Sequence, residues 1–255
     1  MAQIFPKWTN ETPRWITVVS LIGGGFSIFA LYWWASPWNT DVGYGPKQPI
    51  PYSHKLHAGA VGQEATLADG TKVTSLGLDC RYCHAYVERG PHAGVPPTQT
   101  CMNCHRQIRK DSEALKPLRE SWANNTPVPW KRIHKIPDFA YFDHSVHMGV
   151  GVGEYRAAIG CETCHGRIDT MEVVHQQKPL SMVWCLDCHG DVAPNLRPVE
   201  KITAMGWVPD EAWREKATKI AATLHPPGNL AKAQVAMADG TYKTYATAGC
   251  NGCHR

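Results

Sequence analysis

The sequence predicts a mostly irregular chain of short α-helices and loops wrapped around bound cofactors, with one transmembrane helix at its N-terminus. Three observations lead there. The 255 residues contain 10 Cys, and all of them fall in five copies of C-x-x-C-H. Residues 16–35 form an uncharged apolar run. The rest, rich in the chain's 19 Pro and 22 Gly, offers about fifty residues per motif, too few for a conventional apolar core.

The motifs are Cys80/Cys83-His84, Cys101/Cys104-His105, Cys161/Cys164-His165, Cys185/Cys188-His189 and Cys250/Cys253-His254. C-x-x-C-H is the c-type haem attachment pattern: two thiols bond one porphyrin and the adjacent histidine ligates its iron. Zinc is the rival, since 17 residues separate the first two pairs and 20 the next two, both ribbon-like gaps. A fifth pair would then be an orphan. With 13 His in 255 residues, five pairs out of five followed by His is a chance event of roughly one in a million or less. No cysteine remains for a disulfide framework or a catalytic thiol. The net charge of +4 is mild, and no Lys/Arg run reaches five, so a nucleic-acid partner is excluded.

Ile16 to Ala35 is long enough for a helix across roughly 30 Å of hydrocarbon. Lys7 and Arg14 precede it and Asp41 is the first charge after it, which puts the N-terminus in the cytoplasm. Trp15 on one flank and Tyr32, Trp33, Trp34 and Trp38 on the other read as interfacial belts. A cleaved signal peptide fits less well, because the run is long and its Trp-rich end lacks a small-residue cleavage site. Gly23, Gly24 and Gly25 with Ser27 leave a shallow face for a partner helix. The later residues would lie on the periplasmic side of a bacterial inner membrane, where c-type haems are attached.

Residues 36–53 read as a Pro/Gly linker. A repeat follows: His54 and His57 in H-x-x-H precede the first two motifs, and His144 and His147 precede the next two. The expected organisation is an anchor at 1–35, the linker at 36–53, dihaem modules at 54–125 and 126–200, and a segment with the fifth haem at 201–255. Ala68-Asp-Gly-Thr71 lies twelve residues before Cys80, and Ala238-Asp-Gly-Thr241 twelve before Cys250, suggesting a repeated hairpin. A helix is expected over 210–224, stopped by Pro226-Pro227-Gly228, and another from His105 to about Trp122, disturbed at Pro117. The stretches 91–100 and 126–137 are expected to wrap cofactors. Without haem the chain is expected not to fold.

H-x-x-H places two imidazoles on one helical face, each able to ligate a different iron. His54, His57, His144 and His147 are the expected sixth ligands of four irons. For the remaining iron His134 ranks first, with His92, His175, His225, Met171, Met182, Met205 and Met237 as alternatives. Met ligation would raise that haem's potential. If every iron has two protein ligands, the chain carries electrons and makes no bonds. No C-x-x-C-K variant and no other catalytic constellation is present.

Pro51-Tyr-Ser-His-Lys-Leu-His57, Asp79-Cys-Arg-Tyr-Cys-His84, Pro96-Pro-Thr-Gln-Thr-Cys-Met-Asn-Cys-His105, Tyr141-Phe-Asp-His-Ser-Val-His147 and Pro179-Leu-Ser-Met-Val-Trp-Cys-Leu-Asp-Cys-His189 resemble the pentahaem cytochrome subunit of alternative complex III. The likeness covers residues 15 to about 207. It implies a fold similar to class III multihaem cytochromes, with five covalent haems c, in a complex that oxidises quinol. The implied partners are polytopic quinol-binding subunits, an iron–sulfur subunit related to molybdopterin oxidoreductases, and a monohaem cytochrome c leading to a terminal oxidase or soluble acceptor. The chain would be an electron-transfer subunit, not itself an enzyme. A second reading is a stand-alone quinol dehydrogenase feeding a periplasmic reductase, which would need a haem by the membrane with a displaceable ligand. A third, a nitrite- or hydroxylamine-type enzyme, would need a five-coordinate haem.

Overall fold

The structure is a computed structural model, and it describes residues 4–36, 39–149, 153, 156–224, 233–236, 242–245, 253 and 254. The chain divides into two compact units, residues 1–41 and 42–255. Trp38, Cys250, His225, Met237, Pro226-Pro227-Gly228 and the turn 238–241 lie outside the described residues.

The first unit is helix α1, Thr12–Ala35. Pro13 lies in its first turn, where a missing N–H costs nothing. Its apolar side chains, such as Leu21, Phe26 and Phe29, are exposed within this chain. Among the described residues it is the one helix long and apolar enough to cross a membrane.

The second unit is a series of short helices and three two-stranded antiparallel sheets among the described residues. In order come α2 (His54–Ala58), β1 (Glu64–Thr66), β2 (Lys72–Thr74), α3 (Cys80–Cys83), α4 (Thr98–His105), α5 (Lys116–Ala123) and α6 (His144–His147). Then follow β3 (Ala158–Ile159), α7 (Cys161–His165), α8 (Met182–Gly190), β4 (Leu196–Arg197), α9 (Glu211–Leu224), β5 (Ala233–Ala236) and β6 (Tyr242–Tyr245). β1 and β2 pair around Asp69-Gly70, as the sequence suggests, with Gly70 at φ +82°. β5 and β6 form the matching hairpin ahead of the fifth motif.

Helices this short do not hold themselves, because nucleating a turn costs more than one turn returns. Side-chain caps supply what length does not. Ser53 Oγ accepts from Leu56 N at 3.0 Å, Asp79 from Arg81 N at 2.9 Å and Asp143 from Ser145 N at 2.8 Å. Ser181 caps α8 the same way. The longer α9 begins with Asp210 accepting from Trp213 N at 2.8 Å.

The apolar core is divided into small clusters. α9 lays Ala217, Ile220 and Leu224 on Ile159 and Leu196 of the β3–β4 pair, and each fully buried aliphatic side chain there contributes about 1.5–3 kcal/mol. Ile50, Met102, Leu118 and Val128 form a second cluster, and Met148, Ala158 and Ile202 a third. Ile50 shows that the end of the Pro/Gly stretch is packed into the second unit. Gly43 N also bonds Gln176 O at 2.8 Å.

The helix expected from His105 to Trp122 is two helices. α4 closes at His105, the chain turns through Arg109 at φ +51°, and α5 starts at Lys116 with Pro117 in its first turn. Pro117 therefore opens a helix instead of disturbing one, since its fixed φ suits a first turn.

Candidate functional site: paired imidazoles facing the Cys-x-x-Cys-His motifs

Four of the motifs sit in helices α3, α4, α7 and α8, so their cysteines lie i, i+3 on one face. The two H-x-x-H segments are α2 and α6, and their surroundings repeat. An aromatic ring precedes each: Tyr52 stacks on His57 at 4.5 Å and 16°, and Phe142 on His147 at 4.8 Å and 24°. The same rings stand edge-on to His54 at 4.9 Å and to His144 at 4.8 Å. His57 Nδ1 donates to Ser53 O at 2.8 Å, and His147 Nδ1 to Asp143 O at 2.7 Å. The cap residue of each helix thus also orients its second imidazole.

With Nδ1 held, Nε2 is the nitrogen left to ligate. Other imidazoles are tethered likewise: His84 to Gly94 O at 2.7 Å, His105 to Ile108 O at 3.0 Å and His144 to Pro91 O at 2.7 Å. His54 Nδ1 is buried without a hydrogen-bond partner.

Each repeat then sets an H-x-x-H imidazole across from a motif imidazole. The ring centres of His57 and His105 are 6.3 Å apart, those of His147 and His189 6.2 Å, and those of His144 and His165 6.4 Å. Two metal–nitrogen bonds of about 2.0 Å, plus roughly 1.2 Å from each ring centre to its nitrogen, add to about 6.4 Å. The separations therefore suit two imidazoles on opposite sides of one metal. His54 is the repeat counterpart of His144, and after burial the imidazoles that lower it are His84, His57 and His134.

Burial favours the neutral form of five imidazoles. It holds His54 down to about 4 and His165 down to about 3, with neighbouring imidazoles adding to the effect. His57, His134 and His147 are lowered for the same reason. A neutral imidazole has the lone pair that a metal needs. Among the thiols, burial pushes Cys164 up to about 12, and Cys83, Cys101, Cys185 and Cys188 are also raised by burial. Cys80 is lowered and Cys161 raised, in each case first by the thiol of the other.

His134 is brought to the third motif. Its Nε2 lies 3.3 Å from His165 Nδ1, with ring centres 4.3 Å apart and nearly perpendicular. That is a hydrogen bond between imidazoles, too close for two ligands across a metal. At the fifth motif, His254 carries the ring of Phe139 at 5.7 Å and forms a bridge with Ala140, while Tyr141 N donates to Cys253 O at 2.7 Å. Of the other candidates, His175 is engaged at both nitrogens by Val173 O and Gln177, and His92 is exposed. Met171 is buried, Met205 half-buried and Met182 exposed.

Sequence reasoning passed over two features. The aromatic residue two positions before each H-x-x-H was visible as Tyr52 and Phe142, and its repetition was the available signal. The other is a buried ion pair at the third motif: Arg197 Nη2 bonds Glu162 Oε1 at 2.8 Å, inside Cys-Glu-Thr-Cys-His. Nothing local marks Arg197, 35 residues away.

The donor set fits haem c: paired thiols i, i+3, an adjacent imidazole, and a facing imidazole at iron-spanning distance. No protein-family model matches the chain. Over 135 residues, 52% of this chain, it is 30% identical to the menaquinone reductase, multihaem cytochrome c subunit, of Nitratidesulfovibrio vulgaris (strain Hildenborough). That match covers 51% of the relative, so the chain spans about half the length of the curated relative it matches. The relative belongs to a menaquinone reductase, not to the alternative complex III that the motif residues resemble. The likeness is to a multihaem c-type cytochrome, and among the described residues this chain has one apolar N-terminal helix long enough to anchor it.

Proposed function

We propose that this chain is a membrane-anchored pentahaem cytochrome c that relays electrons between a quinone-linked membrane partner and a soluble redox partner, and that it performs no bond-making itself. The carrying observation is the repeated pairing of an H-x-x-H imidazole with a motif imidazole at 6.2–6.4 Å. Haem c, when bound, supplies the one-electron chemistry.

The chain's residues bind, orient and exclude water. Cys80, Cys83, Cys101, Cys104, Cys161, Cys164, Cys185, Cys188, Cys250 and Cys253 anchor five groups, and His84, His105, His165, His189 and His254 supply the near ligands. His54, His57, His144 and His147 supply the far ligands of the first four. Backbone carbonyls hold the Nδ1 protons of five of these histidines, and Tyr52 and Phe142 shield their rings. His134 supports His165 by accepting its Nδ1 proton. Two ligands on each of the first four irons would leave no coordination position for substrate there.

The complex most similar by motif is alternative complex III, whose partners would be polytopic quinol-binding subunits, an iron–sulfur subunit, and a monohaem cytochrome c or oxidase. The likeness to a menaquinone reductase subunit favours a second reading, in which electrons run the other way and a partner reduces menaquinone. Lys7 and Arg14 support a cytoplasmic N-terminus and a periplasmic haem unit in either case.

The test is mild-detergent purification from native membranes through a tag on this chain, with mass spectrometry of what is retained and of this chain intact. Five covalent haems and co-purifying polytopic and iron–sulfur subunits are expected. A chain recovered alone whose haems quinol still reduces would make it the quinol dehydrogenase itself.

A further inference from the structure

We infer that the five attachment motifs stand in space in the order second, first, third, fourth, fifth, so that the second and fifth are the two ends of one file. This rests on reading the motifs as haem sites and adds what their sequence order does not contain.

The first and second motifs are neighbours because α2 serves both. His54 and His57 are one turn apart, and His57 faces His105 of the second motif. Asn103 Nδ2 also donates to Tyr82 Oη at 3.2 Å, joining the inner residues of the two motifs.

The two modules also meet away from the motifs, where Lys55 N donates to Met171 O and Thr66 N to Glu172 Oε1, but the motif that reaches helices α6 and α7 of the second module is the first. His144 Nδ1 and Ser145 N of α6 donate to Pro91 O and Gly90 O, in the loop after His84. Thr203 Oγ1 donates to Asp79 Oδ2 at 2.9 Å, at the cap of α3. Val87 packs in the cluster that contains Met148 and Cys161. The second motif packs in a separate cluster, where Cys101 and Met102 lie with Ile50, Leu118 and Val128, none of them in α6, α7 or α8.

The third and fourth motifs share α6 as the first two share α2, with His144 facing His165 and His147 facing His189. The fifth is clamped by residues 139–141 through the Tyr141–Cys253 bond and the Ala140–His254 bridge. Those residues lead directly into Phe142, the ring stacked on His147. Cys253 is also the first neighbouring charge felt by Cys185 of the fourth motif.

Each module thus contributes one turn that couples two motifs, and the first-to-third contact joins the modules. Loss of an interior motif should cut the file, whereas loss of an end should only shorten it. Two variants of the full complex separate this order from the order along the chain: Cys80→Ala/Cys83→Ala and Cys101→Ala/Cys104→Ala. The physiological donor is added, the promptly reduced haems are counted optically, and dithionite then reduces the remainder. Losing the first motif should leave a split, with one or three of four haems reduced promptly. Losing the second should leave none split, with all four or none reduced. The reverse assignment overturns the proposal.

Electron cryo-microscopy of the unsubstituted complex tests the same order without variants. The iron on His84 should lie nearer the iron on His165 than does the iron on His105, and the opposite ranking overturns the order. Fewer than five porphyrins in that map would instead overturn the pentahaem reading.

Discussion

Arg197 offers the sharpest energetic test. Its guanidinium is 7% exposed and Glu162 is 15% exposed, so the pair is held out of water. Besides Glu162, Arg197 Nη1 donates to Lys201 O at 3.3 Å and to Ala204 O at 3.1 Å, and the cation lies 5.4 Å from the Trp207 ring centre. Glu162 keeps a bond from Gly206 N at 2.6 Å when Arg197 is gone. Removing one partner of a buried pair costs about 3–5 kcal/mol, chiefly because the survivor is left charged and dry. Arg197 Nε is already buried without a partner, and Glu162 retains Gly206 N, so Arg197→Met is expected at the lower end, about 3 kcal/mol. At about 2–4 °C per kcal/mol for a unit of this size, the melting temperature should fall by about 6–12 °C. The assay is thermal unfolding of the haem-loaded protein followed by Soret circular dichroism. Arg197→Met with Glu162→Gln removes both charges and should recover most of the loss. A single-variant loss below about 1 kcal/mol, the range of exposed pairs, would refute the argument. So would a double variant that falls as far as the single one.

Gly166, directly after His165, sits at φ +65° and ψ −165°, a region open almost only to glycine, and a Cβ there would lie 2.7 Å from Gln177 Cγ. Gly166→Ala should cost about 1–3 kcal/mol by chemical denaturation. His134→Phe should shift the midpoint potential of one haem and leave the number of low-spin irons unchanged in electron paramagnetic resonance, whereas a new high-spin signal would mark His134 as a ligand. Asp79 is held down to about 2, first by its bonds with Arg81. Its folded-state value lies below the unfolded one, so its contribution is complete above about pH 4 and lost as pH falls through about 2. Asp79→Asn should flatten acid unfolding in that window. Expressed without haem attachment, the second unit should give a far-ultraviolet spectrum of an unfolded chain, because its apolar clusters are too small to hold it.

What the sequence disclosed, it disclosed through local chemistry. H-x-x-H became a helical turn at both places because Ser53 and Asp143 stand immediately before it as caps, and α9 followed its apolar spacing to Leu224. The Asp-Gly hairpin was readable because its three-residue loop, 68–70, needs a residue able to take positive φ at Gly70. Long-range facts were out of reach. His144 is tethered to a carbonyl 53 residues earlier, and His134 meets His165 across 31 residues. His134 was assigned to the remaining iron by elimination, which counts ligands but cannot measure distance. Pro117 was misread because proline's effect depends on whether it falls first or in the middle of a helix.

The carbonyl tethers on the imidazoles bear on speed as well as on shape. When an electron arrives or leaves, any ligand free to tilt or any water free to turn must readjust, and that readjustment sets the barrier to transfer. His57 and His105 face each other with both Nδ1 protons already committed to backbone oxygen, and His147 and His144 are committed likewise. Oriented in advance by groups that carry their own place in the chain, these rings have little left to rearrange. A relay built this way can pass charge in either direction with the same low reorganisation, and its direction is left to the partners at its two ends.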